Sequence, residues 1–507
     1  MSGFQNPVIP GFFPDPSVCR AGDEYYLVTS SFTYFPGVPV FRSADLVNWA
    51  QVGNVLDRPS QLDLSGTKEY ASHGVWAPTI RYHAGRFRMI TTNHTASGSH
   101  NFFVTADGPA GPWSDPVPVG IDGVDPDLAW DDEGNCWVSF STGQSIMRCR
   151  IDDRTGAVLE PPEPTWSGTG LQFPEAPHLL RRDGTWYLLI AEGGTDRGHT
   201  VAIARGPSPT GPWEGCPANP ILTHRSTDHP IQNTGHADLV EAIDGSWWMV
   251  VLGVRPRGFA PGFHVLGRET FLVPVDWADG WPVVGDLSLE MPASPPGHRV
   301  SHPVPARDDF DASALAPAWV SVRGPLAGAA SLDERPGWLT LHGNGQDLDG
   351  DAPVFAGRRQ QHHRCRARAL IDPGDSTEAG LAVRMDEDRH YEVFLHDGSI
   401  AVRARIGPLA DVVRSVPSPS PDVVLRIETH GDDYAPDRIL LGCENDDGTF
   451  RVLADLDGRY LSTEVATGFI GRVIGLYVVA GTASFDWYDY ETVGNSTTAE
   501  PWAPCLA

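Results

Sequence analysis

The sequence has few basic residues, and this scarcity excludes several classes of partner. Lysine and arginine together number 37 against 65 aspartates and glutamates, which gives the 507 residues a formal net charge of -28. A polyanion would be repelled over most of such a surface. We therefore expect neither nucleic acid nor an anionic membrane among the partners of the protein.

Cysteine motifs and long apolar runs are also missing. The seven cysteines are spread along the chain without a CxxC or a cysteine–histidine ligand spacing, so they predict neither a zinc site nor a disulfide framework. No stretch approaches the roughly 18 apolar residues that a membrane-spanning helix needs. The start, MSGFQNPVIPGFFPDPS, lacks the basic and apolar segments of a secretory leader. We expect a cytoplasmic protein with reduced thiols.

Glycine, proline and short aromatic runs are abundant instead. The chain has 54 glycines and 45 prolines, and the runs between them are rich in Trp, Tyr and Val, which favours many short strands over helices. One segment, a turn followed by a bulky apolar strand, recurs five times at intervals of roughly 50 to 60 residues. Its copies are AGDEYYLVTS (21–30), HAGRFRMITT (83–92), DEGNCWVSFS (132–141), RDGTWYLLIA (182–191) and IDGSWWMVVL (243–252). Five four-stranded units predict an all-β fold with a five-bladed β-propeller over residues 1–292.

The repeat aligns five side chains that stand roughly nine residues before each turn. Equivalent positions on the innermost strands of a propeller surround its axis. Taken singly, the aspartates are typical of Asp-Pro turns, the glutamate of a strand-end surface charge and the histidine of a satisfied buried side chain. Their shared register argues against chance, because packing would favour Val, Ile or Ala there. The aligned residues predict a functional site: Asp15, Trp76, Asp125, Glu175 and His236.

The second half of the chain has a different pattern. The repeat ends at the proline-rich polar stretch 293–307, which predicts a linker. Residues 308–495 predict a β-sandwich of the jelly-roll or concanavalin-like kind, followed by a tail at 496–507. A packing or solubility role is favoured over carbohydrate binding for this domain. Its alternating runs are GWLTLHG (337–343), RCRARALID (364–372), AGLAVRM (379–385), HYEVFLHDG (390–398), VVLRIETHG (423–431) and ASFDWYDYE (483–491).

Several motifs together resemble glycoside hydrolase family 43, in particular its β-xylosidases and α-L-arabinofuranosidases with a C-terminal β-sandwich. The resemblance runs nearly from end to end, and each motif alone would be weak. The motifs are NPVIPGFFPDPS (6–17), SSFTYFPGVPVFRSADLVNW (30–49), GVWAPTIRYHAGRF (74–87), GVDPDLAWDDEG (123–134), PEAPHL (174–179), AEGGT (191–195), GHADLVE (235–241), LGRETFLVPVDW (266–277) and DDFD (308–311).

The resemblance implies an inverting hydrolase with three carboxylates in distinct roles. Asp15 would be the general base, Glu175 the general acid, and Asp125 the residue that raises the pKa of that acid. Inversion needs the acid and the base about 6.5 to 9.5 Å apart, so that a water fits between them. His236 would bind a structural calcium ion through water at the propeller axis, and no organic cofactor is implied. Substrate contacts are implied for Phe32, Trp76, Ala77 and Arg268, and for Phe469 on a loop of the second domain.

The resemblance also implies the reaction. We expect an exo-acting enzyme that releases terminal α-L-arabinofuranosyl or β-D-xylosyl residues from hemicellulose-derived oligosaccharides such as arabinoxylan or xyloglucan fragments. The segments 65–78 and 229–238 favour the arabinofuranosidase branch slightly, and a β-1,4-xylosidase is the first alternative. A non-catalytic glycan-binding propeller would need the aromatic residues but not three carboxylates, and a protein-interaction scaffold would need no polar ring. The sequence leaves the oligomeric state open.

Overall fold

The computed structural model describes residues 3–68, 70–297, 306–431 and 437–494. Within these residues, helix is confined to one 3-10 turn, Gly458–Leu461, and one α-helical turn, Thr463–Ala466. Neither of these turns, which are the helices of the described residues, has the length and hydrophobicity to cross a bilayer. The predicted class is confirmed as all-β, with a propeller followed by a concanavalin-like β-sandwich. The tail predicted at 496–507 lies outside the described residues.

Each of the five sequence repeats forms one antiparallel sheet. The first contains Ser17–Ala21, Glu24–Val28, Gly37–Ser43 and Ala50–Leu56. The second contains Gly74–Val75, Thr79–His83, Arg86–Thr95, Gly98–Ala106 and Val117–Val119. The third contains Val124–Trp130, Cys136–Ser141, Ile146–Ile151 and Glu163–Trp166. The fourth contains Glu175–Arg182, Thr185–Glu192, Thr200–Gly206 and Glu214–Gly215, and the fifth Gln232–Glu241, Trp247–Val254, Glu269–Ala278 and Trp281–Val284.

The sheets form a closed ring. The innermost strand of each sheet contacts that of the next, and the inner strand of the fifth sheet contacts that of the first. The chain ends of this domain are tied together, because Phe4–Gln5 pairs antiparallel with Glu290–Met291. The side chain of Asn6 strengthens this closure: its amide donates to the carbonyl of Leu272 at 2.9 Å, and its oxygen accepts from the N–H of Leu272 at 3.0 Å.

The turn glycines of the repeat have a common conformation. Gly85, Gly134, Gly184 and Gly245 connect the inner strand of a sheet to the next strand with φ between 79° and 84°. This left-handed region is open to glycine and costly for residues with a Cβ. In the first sheet Gly22, with φ of 64°, supplies this conformation in place of the aligned Asp23. In all five sheets, the pairing of the inner strand with the second strand therefore begins at a short turn whose backbone conformation favours glycine.

The second domain consists of two packed antiparallel sheets. One contains Arg307–Asp308, Ala330–Ser331, Leu339–Asn344, Cys365–Asp372, Val423–His430, Arg438–Glu444, Phe450–Asp457 and Ala480–Thr492. The other contains Val354–Arg359, Ala379–Asp386, Arg389–His396, Ser399–Ile406, Leu409–Pro417 and Val473–Val478. Side chains that alternate along these strands, such as Ala367, Ala369 and Ile371, form the apolar core between the sheets.

The two domains are joined by paired strands and by a buried ion pair. Tyr34–Phe35 of the propeller pairs with Ser321–Val322, and Tyr34 packs into the core of the sandwich. Arg257 of the propeller donates to Asp437 of the sandwich at 2.8 Å, and both side chains are almost fully buried. Such contacts hold the sandwich against one face of the propeller, where it reaches the pocket described next.

Candidate active site

The structure brings every residue singled out in the sequence into one pocket, whose volume of about 390 Å³ includes space open to solvent. Asp15, Trp76, Asp125, Glu175 and His236 come from five different sheets or the segments that enter them. This convergence follows from the shared register of the inner strands. The remaining lining residues are Phe32, Ala77, Val124, Thr195, Arg268 and Phe469.

Irregular backbone directs the polar side chains into this pocket. The pairing register shifts within residues 124–127, 175–178 and 232–238, where three inner strands begin. A bulge of this kind bends a strand and re-aims its side chains. Left-handed backbone at non-glycine positions accompanies the bulges, and such strain is typical of functional sites. The φ angles are 57° for Asp15, 54° for Asp125 and 45° for His236.

Asp15 lies in a setting that favours its ionised form. Both of its carboxylate oxygens accept from Arg268, at 2.9 Å for Oδ1 and 3.2 Å for Oδ2, and the hydroxyl of Ser30 donates to Oδ2 at 2.6 Å. Burial by itself would raise the pKa of Asp15, but the charge of Arg268, the charge of His236 when its ring is protonated, and the Ser30 hydrogen bond together hold that pKa below its ordinary value. The carboxylate is therefore a ready proton acceptor.

Asp125, in contrast to Asp15, lies in a setting that favours its protonated form. Burial first, and then the negative charges of Glu175 and Asp15, raise the pKa of Asp125 well above its ordinary value. The backbone N–H of Ala176 donates to Asp125 at 3.3 Å, so the two carboxyl-bearing strands are linked at this point. The structure thus supports a raised pKa at Asp125, and the raised pKa that the resemblance implies for Glu175 stays a prediction. The Asp125 carboxyl therefore tends to keep its proton beside the negative charge of Glu175.

Aromatic side chains form the walls of the pocket. Phe469 comes from the sandwich and lies 6.0 Å from Phe32 and 6.1 Å from Trp76, measured between ring centroids. The backbone N–H of Phe469 is fixed by the hydroxyl of Ser72 at 2.8 Å. The guanidinium of Arg268 stands 5.1 Å from the Phe469 ring and 5.7 Å from the Phe32 ring. Flat apolar faces beside charged groups suit a sugar ring, which has apolar C–H faces and polar edges.

A buried charge network lies beneath the pocket, with one residue from each of the five sheets. Arg81 binds Asp127 and Asp238 at 2.8 Å each. Asp238 also accepts from the hydroxyl of Ser17 at 2.9 Å, and His178 lies 2.9 Å from Arg81. Burial would raise the pKa of Asp238, but Arg81 outweighs this and the pKa is lowered. The network ties the inner strands together directly beside the ring residues.

His236 is a poor match for the calcium ion that the resemblance implies. Its Nδ1 lies 3.5 Å from Oδ1 of Asp15, and burial lowers the pKa of His236 to about 4, so the ring is neutral near pH 7. The described residues contain no group of three or more His, Cys, Asp or Glu side chains arranged to hold a metal ion. Calcium prefers six to eight oxygen ligands. The protein groups at this point do not supply such a set.

Three polar residues of the site were not singled out from the sequence. Ser30 and Thr195 stand in motifs that carry the resemblance, but neither is at the repeat position that the five ring residues share. Thr195 accepts from Arg268 at 3.0 Å, and so shares that guanidinium with Asp15. His199 is buried, with Nε2 at 3.4 Å from Oε1 of Glu175. Nothing in the sequence shows what this ring faces.

A wider cleft adjoins the pocket on the side of the sandwich. Its volume of about 1860 Å³ includes space open to solvent, and Trp76, Glu175, Thr195 and Phe469 belong to both cavities. Phe173, which is 53% exposed, lies on its wall. A single ring can occupy the pocket while the rest of a larger molecule extends into the cleft.

Comparison with protein families gives two adjoining matches. The family model for glycosyl hydrolases family 43 matches residues 4–282. The model for the beta xylosidase C-terminal concanavalin A-like domain matches residues 307–491. Together these matches cover both domains of the structure.

Curated relatives and solved structures agree with these matches. A non-reducing end alpha-L-arabinofuranosidase of Bacteroides ovatus is 40% identical, over 96% of this chain and 94% of its own length. A xylosidase/arabinosidase of Butyrivibrio fibrisolvens is 37% identical, over 96% and 98%. Among solved structures, the xyloglucan PUL GH43B of Bacteroides ovatus has a TM-score of 0.90 at 39% identity and covers 97% of this chain and 100% of its own. A xylan beta-1,4-xylosidase from Bacillus halodurans has a TM-score of 0.87 at 31% identity, over 96% and 100%.

Proposed function

The chain belongs to glycosyl hydrolase family 43 and is a glycoside hydrolase, and on that premise we propose that it releases terminal α-L-arabinofuranosyl residues from hemicellulose-derived oligosaccharides. The observation that carries this proposal is the convergence of Asp15, Asp125 and Glu175 in one aromatic-walled pocket. Arabinoxylan and xyloglucan fragments are the proposed natural substrates. The pocket and cleft together support exo action, because one terminal ring is enclosed and the remainder lies outside.

Asp15 is the proposed general base. Its pKa is held low by Arg268, so it is ionised at neutral pH and can take a proton from water. That water attacks the anomeric carbon as the bond to the leaving oxygen breaks, and the product has inverted configuration. Arg268 and Thr195 are also within reach of the hydroxyl groups of a sugar in the pocket.

Glu175 is the proposed general acid, and it stands where the pocket opens into the cleft. A leaving group that extends into the cleft would bring its oxygen beside this carboxyl. The raised pKa of Asp125 supports a pair that keeps one proton near neutral pH, and that proton is available to the departing oxygen. Asp125 thus acts by opposing the ionisation of its neighbour. The proposed roles need no metal ion, and we derive no step through calcium.

A β-xylosidase activity is the second candidate. Relatives that are 36% to 37% identical carry names that join xylosidase and arabinosidase, and both sugars are pentoses with similar hydroxyl groups. The walls at Phe32, Trp76 and Phe469 would accept either ring. We propose arabinofuranosyl release as the main activity, because the relative with 40% identity over nearly the whole chain bears that name.

Two chromogenic substrates test this assignment. We expect hydrolysis of 4-nitrophenyl α-L-arabinofuranoside with a higher kcat/KM than 4-nitrophenyl β-D-xyloside, and release of arabinose from arabinoxylan or xyloglucan oligosaccharides. The reverse order of kcat/KM would make the protein mainly a xylosidase. Failure to cleave either pentoside would contradict both candidate activities.

A further inference from the structure

The two ring nitrogens of His199 have different surroundings. The side chain is fully enclosed by protein. Its Nδ1 lies 3.0 Å from the backbone carbonyl oxygen of Asn233. A carbonyl oxygen only accepts hydrogen bonds, so Nδ1 carries the hydrogen. In the neutral ring, Nε2 is then an acceptor with a free lone pair.

That lone pair is directed towards Glu175. Oε1 of Glu175 lies 3.4 Å from Nε2, and Nε2 has no hydrogen-bond partner within the described ranges. The ring is held in place from its other side by Gly235, where a Cβ would come within 2.3 to 2.4 Å of three ring atoms. Only glycine at 235 leaves room for the imidazole. The structure thus fixes an unsatisfied acceptor beside the carboxyl that faces the leaving group.

We propose that His199 is a positioning residue for Glu175, whose Nε2 accepts a hydrogen bond from the protonated carboxyl and disfavours loss of that proton before the leaving oxygen arrives. An ionised carboxylate would bring only further lone pairs to Nε2, so the bond forms with the protonated carboxyl alone. This inference rests on the proposed role of Glu175 as general acid. During the reaction the O–H bond of Glu175 breaks as the leaving oxygen takes the proton, and His199 neither gains nor loses one.

Other charged groups also face Glu175, and their effects must be separated from that of His199. The charge of Asp15 opposes ionisation of Glu175, whereas the charges of Arg268 and Arg197 favour it. The pH profile of the wild-type protein reports the sum of all these effects, so a difference between variants is needed. The facing groups are Asp15, Asp125, His236 and Arg268 in the pocket and Asp196, Arg197, His264 and Glu464 in the cleft.

Two substitutions of His199 separate the effect of its hydrogen-bond acceptor, Nε2, from the effect of its size. His199→Phe fills the space of the ring but accepts nothing, and His199→Gln keeps an amide oxygen that can accept. We expect the basic limb of kcat/KM, measured on an unactivated pentosyl oligosaccharide, to move about 0.5 to 1 pH unit lower in His199→Phe. His199→Gln should keep the limb close to that of the wild-type. An unmoved limb, or a limb at higher pH, in a folded His199→Phe protein overturns the proposal. If the Phe variant does not fold, His199→Asn, which is too short to reach Glu175, takes its place in the same comparison.

A double variant tests whether His199 acts through Glu175. Glu175→Gln has no acidic proton to hold, so adding His199→Phe should cause no further loss of kcat on an activated nitrophenyl pentoside. If the loss of kcat in the double variant equals the product of the losses in the two single variants, His199 does not act through Glu175, and the proposal is overturned. A wild-type protein inert on every pentoside would reject the proposed function, whereas an active wild-type protein with an unmoved limb in His199→Phe rejects only this inference.

Discussion

Arg268 donates a hydrogen bond to each carboxylate oxygen of Asp15, from Nη1 to Oδ1 at 2.9 Å and from Nη2 to Oδ2 at 3.2 Å. The two residues are 253 positions apart, and both are more than nine-tenths buried. A two-point contact of this kind fixes the orientation of the carboxylate as well as its charge. The ionised state of the proposed base therefore depends on one guanidinium from the last sheet of the propeller.

Removing that guanidinium should shift the acidic limb of the pH profile. In Arg268→Met, burial is no longer outweighed, so the pKa of Asp15 rises and the acidic limb of kcat/KM moves to higher pH. Activity at neutral pH should fall by about 10- to 100-fold, because charged hydrogen bonds are lost. The pH dependence of kcat/KM checks this. Arg366→Met, which removes a partly exposed ion pair of the sandwich, is the control and should leave both limbs in place. If the acidic limb does not move in Arg268→Met, Arg268 does not hold the pKa of Asp15 low, and this prediction is wrong.

Asp125→Asn should shift the basic limb of the pH profile of kcat/KM. Burial and the negative charges of Glu175 and Asp15 raise the pKa of Asp125, so Asp125→Asn removes the carboxyl that holds a proton at this point of the pocket. We expect the basic limb of kcat/KM to move about one pH unit lower, with the acidic limb little changed. A pH profile on an unactivated oligosaccharide measures the shift. A basic limb at higher pH would mean that the two carboxyls are not coupled as described.

Asp437→Asn should destabilise the whole protein. Asp437 lies between Arg257 of the propeller and Arg472 of the sandwich, and all three side chains are almost fully buried. Neutralising Asp437 removes a buried negative charge that both guanidinium groups contact, which should cost about 3 to 5 kcal/mol in the free energy of unfolding. Urea unfolding measures this.

The exposed pair of Arg42 and Glu24 offers a matched control for that experiment. Glu24→Gln should change the free energy of unfolding by less than about 1 kcal/mol, because exposed ion pairs contribute little. If Asp437→Asn had an equally small effect, the interface between the domains would not depend on this buried ion pair. The sandwich would then contribute to the protein chiefly through Phe469 and the apolar core.

Much of the site could be predicted from the register of the repeat. Asp15, Trp76, Asp125, Glu175 and His236 occupy equivalent positions in sequence, and the closed ring of sheets brings equivalent positions together. Arg268 was found through the resemblance alone, because it precedes the third strand of its sheet and has no counterpart in the repeat. Thr195 and His199 also lie outside the repeat, and Ser30 ends one copy of it without being at the position that the ring residues share. Their positions depend on loops and bulges, whose backbone angles the sequence does not encode in any periodic pattern.

In the sandwich, too, the sequence pattern predicted some strands and missed others. The six alternating runs correspond closely to strands, for example Cys365–Asp372 and Val423–His430. Leu409–Pro417 was missed because it is an edge strand in which all but one residue is exposed, so no face is buried and no alternation marks it. Phe450–Asp457 is likewise largely exposed or half-buried. Strands without a buried face leave little trace in the pattern of apolar residues.

The leaving-group dependence of Glu175→Ala tests the proposed mechanism most directly. Without the acid, an oligosaccharide with a poor leaving group should lose several orders of magnitude in kcat/KM, whereas an activated nitrophenyl pentoside, which needs less protonation, should lose much less. Asp15→Ala is the matched comparison, and it should impair both substrates alike because the attacking water has no base. The measurement is the ratio of kcat/KM for the two substrates in each variant. A Glu175→Ala enzyme that is equally impaired on both substrates would contradict the assignment of Glu175 as the general acid.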